Sequence, residues 1–328
     1  MKKSFQSTIY SFVLALLLNG CLTTPKPPIV YSGSKNYSEV SSRIHRQKNI
    51  SLATFHKRGP FKYEIIENNL VPISRTQTVL TDLLLPKQKI AAPLIIISHG
   101  NKSTKETHRF QAERLASWGF NVLVLGLPNQ YRWLENGKTI AKVATLVHNW
   151  PYILADNIDT SNIILMGHSF GGSAVTIAAG SGAPIKGVIL LDPAVVAEAV
   201  VGYMKNIQVP AILLGADQKV FKSRRRSLFY KNISSEMLEI SIKGATHNDA
   251  QYPSDIAMRA FGFDWETTPE LQERFMASIV TSVVSITDTN STYFAWQIFK
   301  KSREQNELSA IRIKPNASDL SKYARFTP

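Results

Sequence analysis

The pentapeptide Gly167-His168-Ser169-Phe170-Gly171 is the feature that most constrains how this chain can fold. It follows the apolar run 163–166 and precedes the small-residue segment 172–179. A strand, a G-x-S-x-G turn and a helix in this order are typical of a nucleophile elbow, in which the turn is too sharp for side chains at the flanking positions. The helix N-terminus also brings partial positive charge close to Ser169. The alternative is an ordinary tight turn of small residues.

The rest of the sequence alternates between apolar runs and segments with helical spacing. Continuous apolar runs bounded by turn residues are typical of strands buried on both faces. Strands that alternate with helices predict an α/β fold with a mainly parallel central sheet and helices on both faces. Strands are predicted at 77–85, 93–98, 120–125, 163–166, 187–191, 211–214 and 237–242, and helices at 105–118, 138–154, 194–205, 221–231 and 269–284.

A serine hydroxyl needs a base to remove its proton, and the position of the histidines restricts the choice. On a doubly wound hydrolase sheet the chain order is nucleophile, acid, base. Of the seven histidines, only His247 follows Ser169, in the loop 244–248 beyond the last predicted parallel strand. We therefore expect His247 to be the base; the alternative is a histidine in a surface loop.

Two aspartates are candidates for the acid that orients this histidine. Asp192 follows the predicted strand 187–191, and Asp217 follows the predicted strand 211–214. Both therefore lie at the carboxyl ends of strands, where the functional site of an open α/β sheet is formed. Either could instead cap the next helix. The residues favour Asp192 and leave Asp217 open.

A negatively charged oxygen formed at Ser169 needs preorganised N–H donors. One is expected from the backbone of Phe170, directly after the serine, and the other from Asn101 in the loop after strand 93–98. Gly100 would permit the tight path of that loop. We expect His99 to be structural and to pack beneath it.

From Leu94 to about Gln251 the sequence resembles the α/β-hydrolase superfamily, and within it the platelet-activating-factor acetylhydrolase and dienelactone hydrolase-like group. In the acetylhydrolases and chlorophyllases the acid follows the strand after the elbow, which corresponds to Asp192. In dienelactone hydrolases and cutinase-like polyesterases it follows the next strand in a G-x-x-D pattern, where this chain has Gln218. The matching stretches are Ser98-His99-Gly100, Leu115-Ala116-Ser117-Trp118-Gly119-Phe120, Gly167-His168-Ser169-Phe170-Gly171-Gly172, Leu191-Asp192-Pro193 and Gly244-Ala245-Thr246-His247.

The first 21 residues have the pattern of a secretory signal. A start with two lysines is followed by an apolar stretch from Ile9 to Leu18, too short to span a bilayer. The ending Leu18-Asn19-Gly20-Cys21 resembles the lipobox of bacterial lipoproteins, which implies palmitate-type lipidation of Cys21. Leu22 follows instead of aspartate, which favours the periplasmic side of the outer membrane over the inner membrane. The alternative is an ordinary signal peptide with an incidental cysteine.

The composition divides the chain into four segments. Residues 1–20 are predicted to be the signal peptide, and residues 21–58, rich in Ser, Thr, Pro and Lys, a partly extended tether. Residues 59–285 are the predicted hydrolase domain, and 286–328 a polar, basic C-terminal extension with no assigned role.

A formal charge of +14 suits a membrane surface, an acidic substrate or a nucleic acid. Nucleic acid is the least expected partner because no basic helix interleaved with aromatics and no zinc-finger spacing is present. The basic run 222–226 is predicted to be a solvated helix face. No phosphate loop, dinucleotide fingerprint or metal-ligand pair is present, so no cofactor and no metal are expected.

These observations predict a membrane-tethered serine hydrolase that cleaves a carboxylic ester through an acyl-enzyme, with a lipid ester as one candidate substrate. Its partners are expected to be a small-molecule or lipid ester and, through Cys21, a membrane. The alternatives are a non-catalytic lipoprotein of the same fold that binds a ligand or partner, and an acyltransferase that uses the same three residues.

Overall fold

The centre of the fold is a twisted sheet of nine strands within the residues that the structure describes. The structure is a computed structural model and describes residues 37–46, 50–88, 90–129, 131–217, 225–253, 267–316, 320 and 323. All of these belong to one compact unit, residues 33–328. The strands are β1 (Tyr63–Ser74), β2 (Gln77–Pro86), β3 (Ala92–Ser98), β4 (Asn121–Gly126), β5 (Ile158–His168), β6 (Gly187–Leu191), β7 (Ala211–Ala216), β8 (Met237–Ile242) and β9 (Leu308–Lys314).

The sheet order is β1-β2-β4-β3-β5-β6-β7-β8-β9. The six strands β3 to β8 run parallel to one another. Strands β1 and β2 at one edge and β9 at the other are antiparallel to their neighbours. Every residue of β3, β6, β7 and β8 is buried. The carboxyl ends of the parallel strands meet at one edge, where open α/β sheets form their sites.

Helices cover both faces of this sheet. Val40, Leu115 and Phe275 belong to one apolar cluster, and Ile140, Val175 and Phe229 to the cluster on the opposite face. The helices are α1 (Tyr37–Arg46), α2 (Leu52–Phe55), α3 (Arg109–Ser117), α4 (Trp133–Asn149), α5 (Phe170–Gly180), α6 (Val200–Lys205), α7 (Ser227–Asn232), α8 (Pro269–Thr289) and α9 (Tyr293–Glu304). The α/β class with a mainly parallel sheet is thereby confirmed.

Part of the predicted tether is folded. Helices α1 and α2 both lie within residues 21–58, and they bury Val40, Ile44, Leu52 and Phe55 in the core. The spacing of Val40 and Ile44 places both on one helix face, which explains why this polar stretch packs rather than extends. The predicted signal peptide, Cys21 and the tether up to residue 36 lie outside the described residues. No helix in the part of the chain that the structure describes is long and apolar enough to cross a membrane.

The C-terminal extension is built into the same sheet. Helix α8 continues to Thr289, past the predicted boundary at 285, and β9 pairs with β8. The buried carboxylate of Glu236 accepts hydrogen bonds from Ser291 Oγ at 2.8 Å and from the Thr292 N–H at 2.8 Å. These contacts fix the start of α9, so residues 290–314 belong to the body of the fold.

Candidate active site

Ser169 occupies the sharp turn between β5 and α5. Its φ of +54° and ψ of −122° lie in a region where the backbone of residues other than glycine is strained. Backbone hydrogen bonds hold it there. Its N–H donates to Leu191 O at 3.1 Å, and its carbonyl accepts from Ala194 N at 2.9 Å and from Gly172 N at 3.0 Å. The turn therefore has the geometry that the G-x-S-x-G pattern predicts.

Glycine is required around the turn because backbones approach each other closely. A Cβ on Gly167 would lie 2.4 Å from the carbonyl oxygen of Gly171. A Cβ on Gly171 would lie 2.3 Å from His99 O and 2.7 Å from Ser98 O. The start of α5 is thus pressed against the loop that follows β3.

Asp192 follows β6 and lies beside His247. The Nδ1 atom of His247 is 2.6 Å from Asp192 Oδ2, and the side chain of Asp192 is 4% exposed. The other carboxylate oxygen, Oδ1, accepts a hydrogen bond from the N–H of Ala216 at 3.1 Å. Asp192 has a φ of +36°, so both it and Ser169 adopt strained backbone conformations.

Asp217, the other candidate, points to different partners. Its Oδ1 accepts a hydrogen bond from Ser309 Oγ at 2.6 Å, and its Oδ2 accepts one from Gly244 N at 3.2 Å. These contacts fasten strand β9 and the turn after β8. Of the two aspartates, Asp192 is the one that the structure brings to His247.

The loop that carries His247 is held by hydrogen bonds within the loop and by a contact to His168. The carboxylate of Asp249 accepts hydrogen bonds from Thr246 N at 2.7 Å and from Thr246 Oγ1 at 2.9 Å. The carbonyl of His247 accepts a hydrogen bond from Nε2 of His168 at 3.1 Å, and the two rings pack with centroids 4.4 Å apart. Because His168 immediately precedes Ser169, this contact joins the loop of His247 to the turn at Ser169.

The loop after β3 passes directly over the serine. A Cβ on Gly100 would lie 3.0 Å from the Cβ of Ser169, and Asn101 is the next residue. Phe170 is the first residue of α5, so its N–H has no acceptor within the helix. Both residues predicted to supply oxyanion donors therefore lie on segments adjacent to Ser169.

His99 lies beneath this loop, as predicted. Its Nδ1–H donates to Gly100 O at 2.8 Å, and its Nε2 accepts from Leu127 N at 3.2 Å. Burial lowers the pKa of His99, which favours the neutral ring that these two hydrogen bonds require. Its role in the structure is to fix the path of the backbone from Gly100.

The sequence did not reveal that Arg226 contacts Asp192. The residue belongs to the run 222–226, which we predicted to be a solvated helix face; residues 222–224 lie outside the described residues. Arg225 agrees with that prediction and pairs at the surface with Glu198, but Arg226 turns inward and donates to Asp192 Oδ1 at 2.8 Å. Its position just before α7 gave no sequence signal, because the contact joins residues 34 apart in the chain.

Among the described residues no group of three or more His, Cys, Asp or Glu side chains is arranged to hold a metal ion. The arrangement consists instead of a strained serine, a histidine, a buried carboxylate and adjacent backbone N–H groups. Such a set can activate a hydroxyl and stabilise an oxyanion.

Comparison with known proteins gives the family. The PET hydrolase-like family matches residues 86–269, which is more than half of the chain. Cutinase 1 of Thermobifida cellulosilytica is 23% identical over 204 residues, covering 60% of this chain and 76% of that protein. A cutinase of Thermobifida fusca is also 23% identical over 204 residues, covering 60% of this chain and 66% of that cutinase.

A more distant similarity links the chain to the acetylhydrolases. The platelet-activating factor acetylhydrolase of Gallus gallus is 28% identical over 117 residues, which is 35% of this chain and 27% of that protein. The superfamily inferred from the sequence is confirmed, and within it the match falls on the PET hydrolase-like family. The chain therefore belongs to the PET hydrolase-like family of carboxylic-ester hydrolases, within the α/β-hydrolase superfamily.

Proposed function

We propose that the protein is a serine esterase in which Ser169 is the nucleophile, His247 the base and Asp192 the acid. The observation that carries this proposal is the 2.6 Å contact between His247 Nδ1 and Asp192 Oδ2, beside a serine held in a strained turn. In this proposal the Nδ1–H group of His247 donates to Asp192, and Nε2 is left to accept the proton of the serine.

The reaction follows from these positions. As Ser169 Oγ bonds to the ester carbonyl carbon, His247 takes the hydroxyl proton, and the carbonyl oxygen becomes an anion. The N–H groups of Phe170 and Asn101 stabilise that oxygen. Collapse breaks the bond to the leaving alcohol, which receives the proton from His247. A water molecule then attacks the acyl-enzyme by the same steps, releasing the carboxylic acid and restoring Ser169.

The proposed substrate is a carboxylic ester, and a lipid ester is the finer form of the proposal. The family match and the cutinases support an ester, and the acetylhydrolase among the relatives supports a lipid ester. The rates on nitrophenyl esters of increasing acyl length, measured in parallel with those on phospholipid esters, test this. Highest kcat/KM on a lipid ester supports it; no turnover of any lipid ester contradicts the finer form.

A fluorophosphonate probe tests the nucleophile. We expect the purified protein to be labelled at Ser169, as located by peptide mass spectrometry, and Ser169→Ala to lose both labelling and at least about 10³-fold in kcat. The matched control is Ser181→Ala, because Ser181 lies exposed at the other end of α5, and this variant should keep labelling and activity. A folded protein that is neither labelled nor active on any ester would instead favour the ligand-binding alternative.

The acyltransferase alternative uses the same acyl-enzyme and differs in the group that resolves it. Adding an alcohol acceptor to the esterase assay separates the two. We expect free carboxylic acid to remain the main product; a transferred ester as the main product would contradict hydrolysis.

We also propose that Cys21 is lipidated and anchors the protein on the periplasmic side of the outer membrane. The proposal is supported by the sequence around Cys21 alone. Metabolic labelling with an alkyne palmitate, followed by membrane fractionation, tests it. Wild-type protein should be labelled and sediment with outer membranes, and Cys21→Ala should lose both properties; equal labelling of the two would contradict the assignment.

A further inference from the structure

A guanidinium group lies on Asp192 on the side away from His247. Arg226 Nη1 donates to Asp192 Oδ1 at 2.8 Å, while His247 occupies Oδ2 at 2.6 Å. The Ala216 N–H also donates to Oδ1, at 3.1 Å. Arg226 and the Ala216 N–H therefore both donate to the oxygen that His247 does not contact.

The guanidinium is fixed by the neighbouring strands. It also donates to Ala216 O at 2.6 Å and to Ser241 Oγ at 3.0 Å, so it bridges the ends of β7 and β8. Gly215 makes room for it, because a Cβ there would lie 2.3 Å from Arg226 Nη1 and 2.6 Å from its Cζ. The side chain of Arg226 therefore packs against the backbone of β7 at Gly215 and extends across this strand to Asp192.

A second ion pair lies behind the first. Glu239 Oε1 is 3.6 Å from Arg226 Nε, and the other oxygen of Glu239 accepts a hydrogen bond from Arg312 on β9. Glu239 thus contacts two arginines, and Arg226 is the more distant of them. The closer partner of Arg226 is Asp192, at 2.8 Å.

We infer that Arg226 is a positioning residue for Asp192: it holds the carboxylate ionised and in the rotamer that receives His247. The inference rests on the proposed role of Asp192 as the acid. A buried carboxylate is costly unless it is paired and hydrogen-bonded. Arg226 supplies both a charge and a hydrogen bond, reaching over β7 to an acid that follows β6.

The test is Arg226→Gln, compared with wild type in kcat, KM and the pH profile of kcat/KM on a short nitrophenyl ester. We expect kcat to fall at least about 10-fold with KM changed less than about 2-fold, because ground-state binding does not involve Arg226. The low-pH limb of the kcat/KM profile (the acid limb) should move to higher pH by about 0.5 unit or more. Removing a cation beside Asp192 and His247 favours protonation of this pair.

In the described part of the chain, the charged and titratable groups near this pair include Arg226, Glu239 behind it and the ring of His168 packed on His247. Asp217 follows Ala216 in the chain, and Asp249 lies in the loop of His247. Among these, Arg226 is the positive charge in direct contact with the acid. A shift of the acid limb in Arg226→Gln therefore reports the loss of that charge, which a purely structural role would not produce.

Arg225→Gln is the matched control, because Arg225 is the adjacent arginine and pairs at the surface with Glu198. It should keep wild-type kcat and the wild-type acid limb. Arg226→Lys should restore the acid limb but only part of kcat, since lysine keeps the charge without the planar fork. If Arg226→Gln does not fold, Gly215→Ala displaces the guanidinium without removing its charge, and should lower kcat without shifting KM.

The inference would be overturned if Arg226→Gln, or Gly215→Ala in its place, kept kcat within about 2-fold and the acid limb within about 0.2 unit of wild type. Asp192→Asn separates this failure from failure of the proposed function. An inactive Asp192→Asn with an unaffected Arg226→Gln would refute the positioning role alone. An active Asp192→Asn would refute the assigned acid and the positioning role together.

Discussion

Two residues of the proposed site adopt backbone conformations that side chains rarely adopt. Ser169 has a φ of +54° and Asp192 a φ of +36°. Such strain costs about 1–3 kcal/mol per residue and persists only where the surroundings over-determine it. Here the surroundings are shared, because the Ser169 N–H bonds to Leu191 O, directly before Asp192. The two turns therefore stabilise each other.

Separate replacement of the two aspartates by asparagine tests the acid. Asp192→Asn should lower kcat by about 10⁴-fold, because an amide donor opposite His247 Nδ1 favours the wrong tautomer. Asp217→Asn should change kcat less than about 3-fold, since its contacts go to Ser309 and Gly244. The measurement is kcat on a short-chain nitrophenyl ester, with thermal unfolding to verify folding. The reverse order of effects would refute the assignment of Asp192.

At the scale of single elements, buried strands were predicted best. The predicted bounds of β6 and β8 agree with the structure at both ends, because continuous apolar runs between turn residues admit one interpretation. The edge strand β1 was not predicted, since its buried and exposed residues follow no regular alternation. Sequence patterns report burial on both faces well and an edge position poorly.

The helix predicted from residue 194 begins only at Val200. The backbone before it is held by α5, because Ser173 Oγ donates to Ala194 O at 2.6 Å and accepts from Val196 N at 3.2 Å. Ala194 N also donates to Ser169 O. Tertiary hydrogen bonds to the elbow thus override local helix propensity, and the elements around the site deviate from the pattern for a functional reason.

The contact between α5 and the loop after β3 can be tested with a single methyl group. In Gly171→Ala the new Cβ would meet His99 O at 2.3 Å and Ser98 O at 2.7 Å, both backbone atoms. The loop that carries Asn101 must then move away. We expect kcat to fall at least about 10-fold through the displaced oxyanion donor, and stability to fall by about 1–3 kcal/mol.

Gly202→Ala is the matched control for this change. Gly202 lies in α6, and its Cβ would meet nothing within 4 Å. Wild-type kcat is expected, with unchanged stability or a gain of up to about 1 kcal/mol from helix propensity. Equal kcat values for Gly171→Ala and Gly202→Ala would show that the close approach of the loop to α5 has no part in catalysis.

At the scale of the whole molecule, the site depends on contacts between distant parts of the chain. The sequence predicted Ser169 and His247 from local motifs, and it favoured Asp192 over the alternative Asp217 as the acid. It could not predict Arg226 or strand β9, because their partners lie in other elements and no local period encodes them. The C-terminal segment, which had no predicted role, supplies Ser309 to Asp217 and Arg312 to Glu239, so it completes the side of the sheet that carries Asp192.

One buried histidine makes the stability of the whole fold depend on pH. Burial lowers the pKa of His108 to about 4, against 6.5 for the exposed side chain. Its Nδ1–H donates to Gln111 Oε1 at 2.5 Å, and Gln111 Nε2 donates in turn to Ala250 O at 2.9 Å, next to the loop of His247. The folded protein therefore keeps His108 neutral at pH values where the unfolded chain binds a proton.

The sign of this effect follows from proton binding. Between about pH 6.5 and pH 4 the unfolded state binds more protons than the folded state, so stability falls as the pH is lowered. We expect His108 to contribute a loss of about 2 kcal/mol between pH 7 and pH 5. The measurement is the free energy of unfolding in urea at both pH values, for wild type and for His108→Gln. Because the comparison uses the difference between the two pH values, any uniform destabilisation by the substitution cancels.

The control His148→Gln changes an exposed histidine on α4 and should keep the wild-type difference in unfolding free energy between pH 7 and pH 5. If His108→Gln also kept the wild-type difference, that result would contradict a neutral, buried His108.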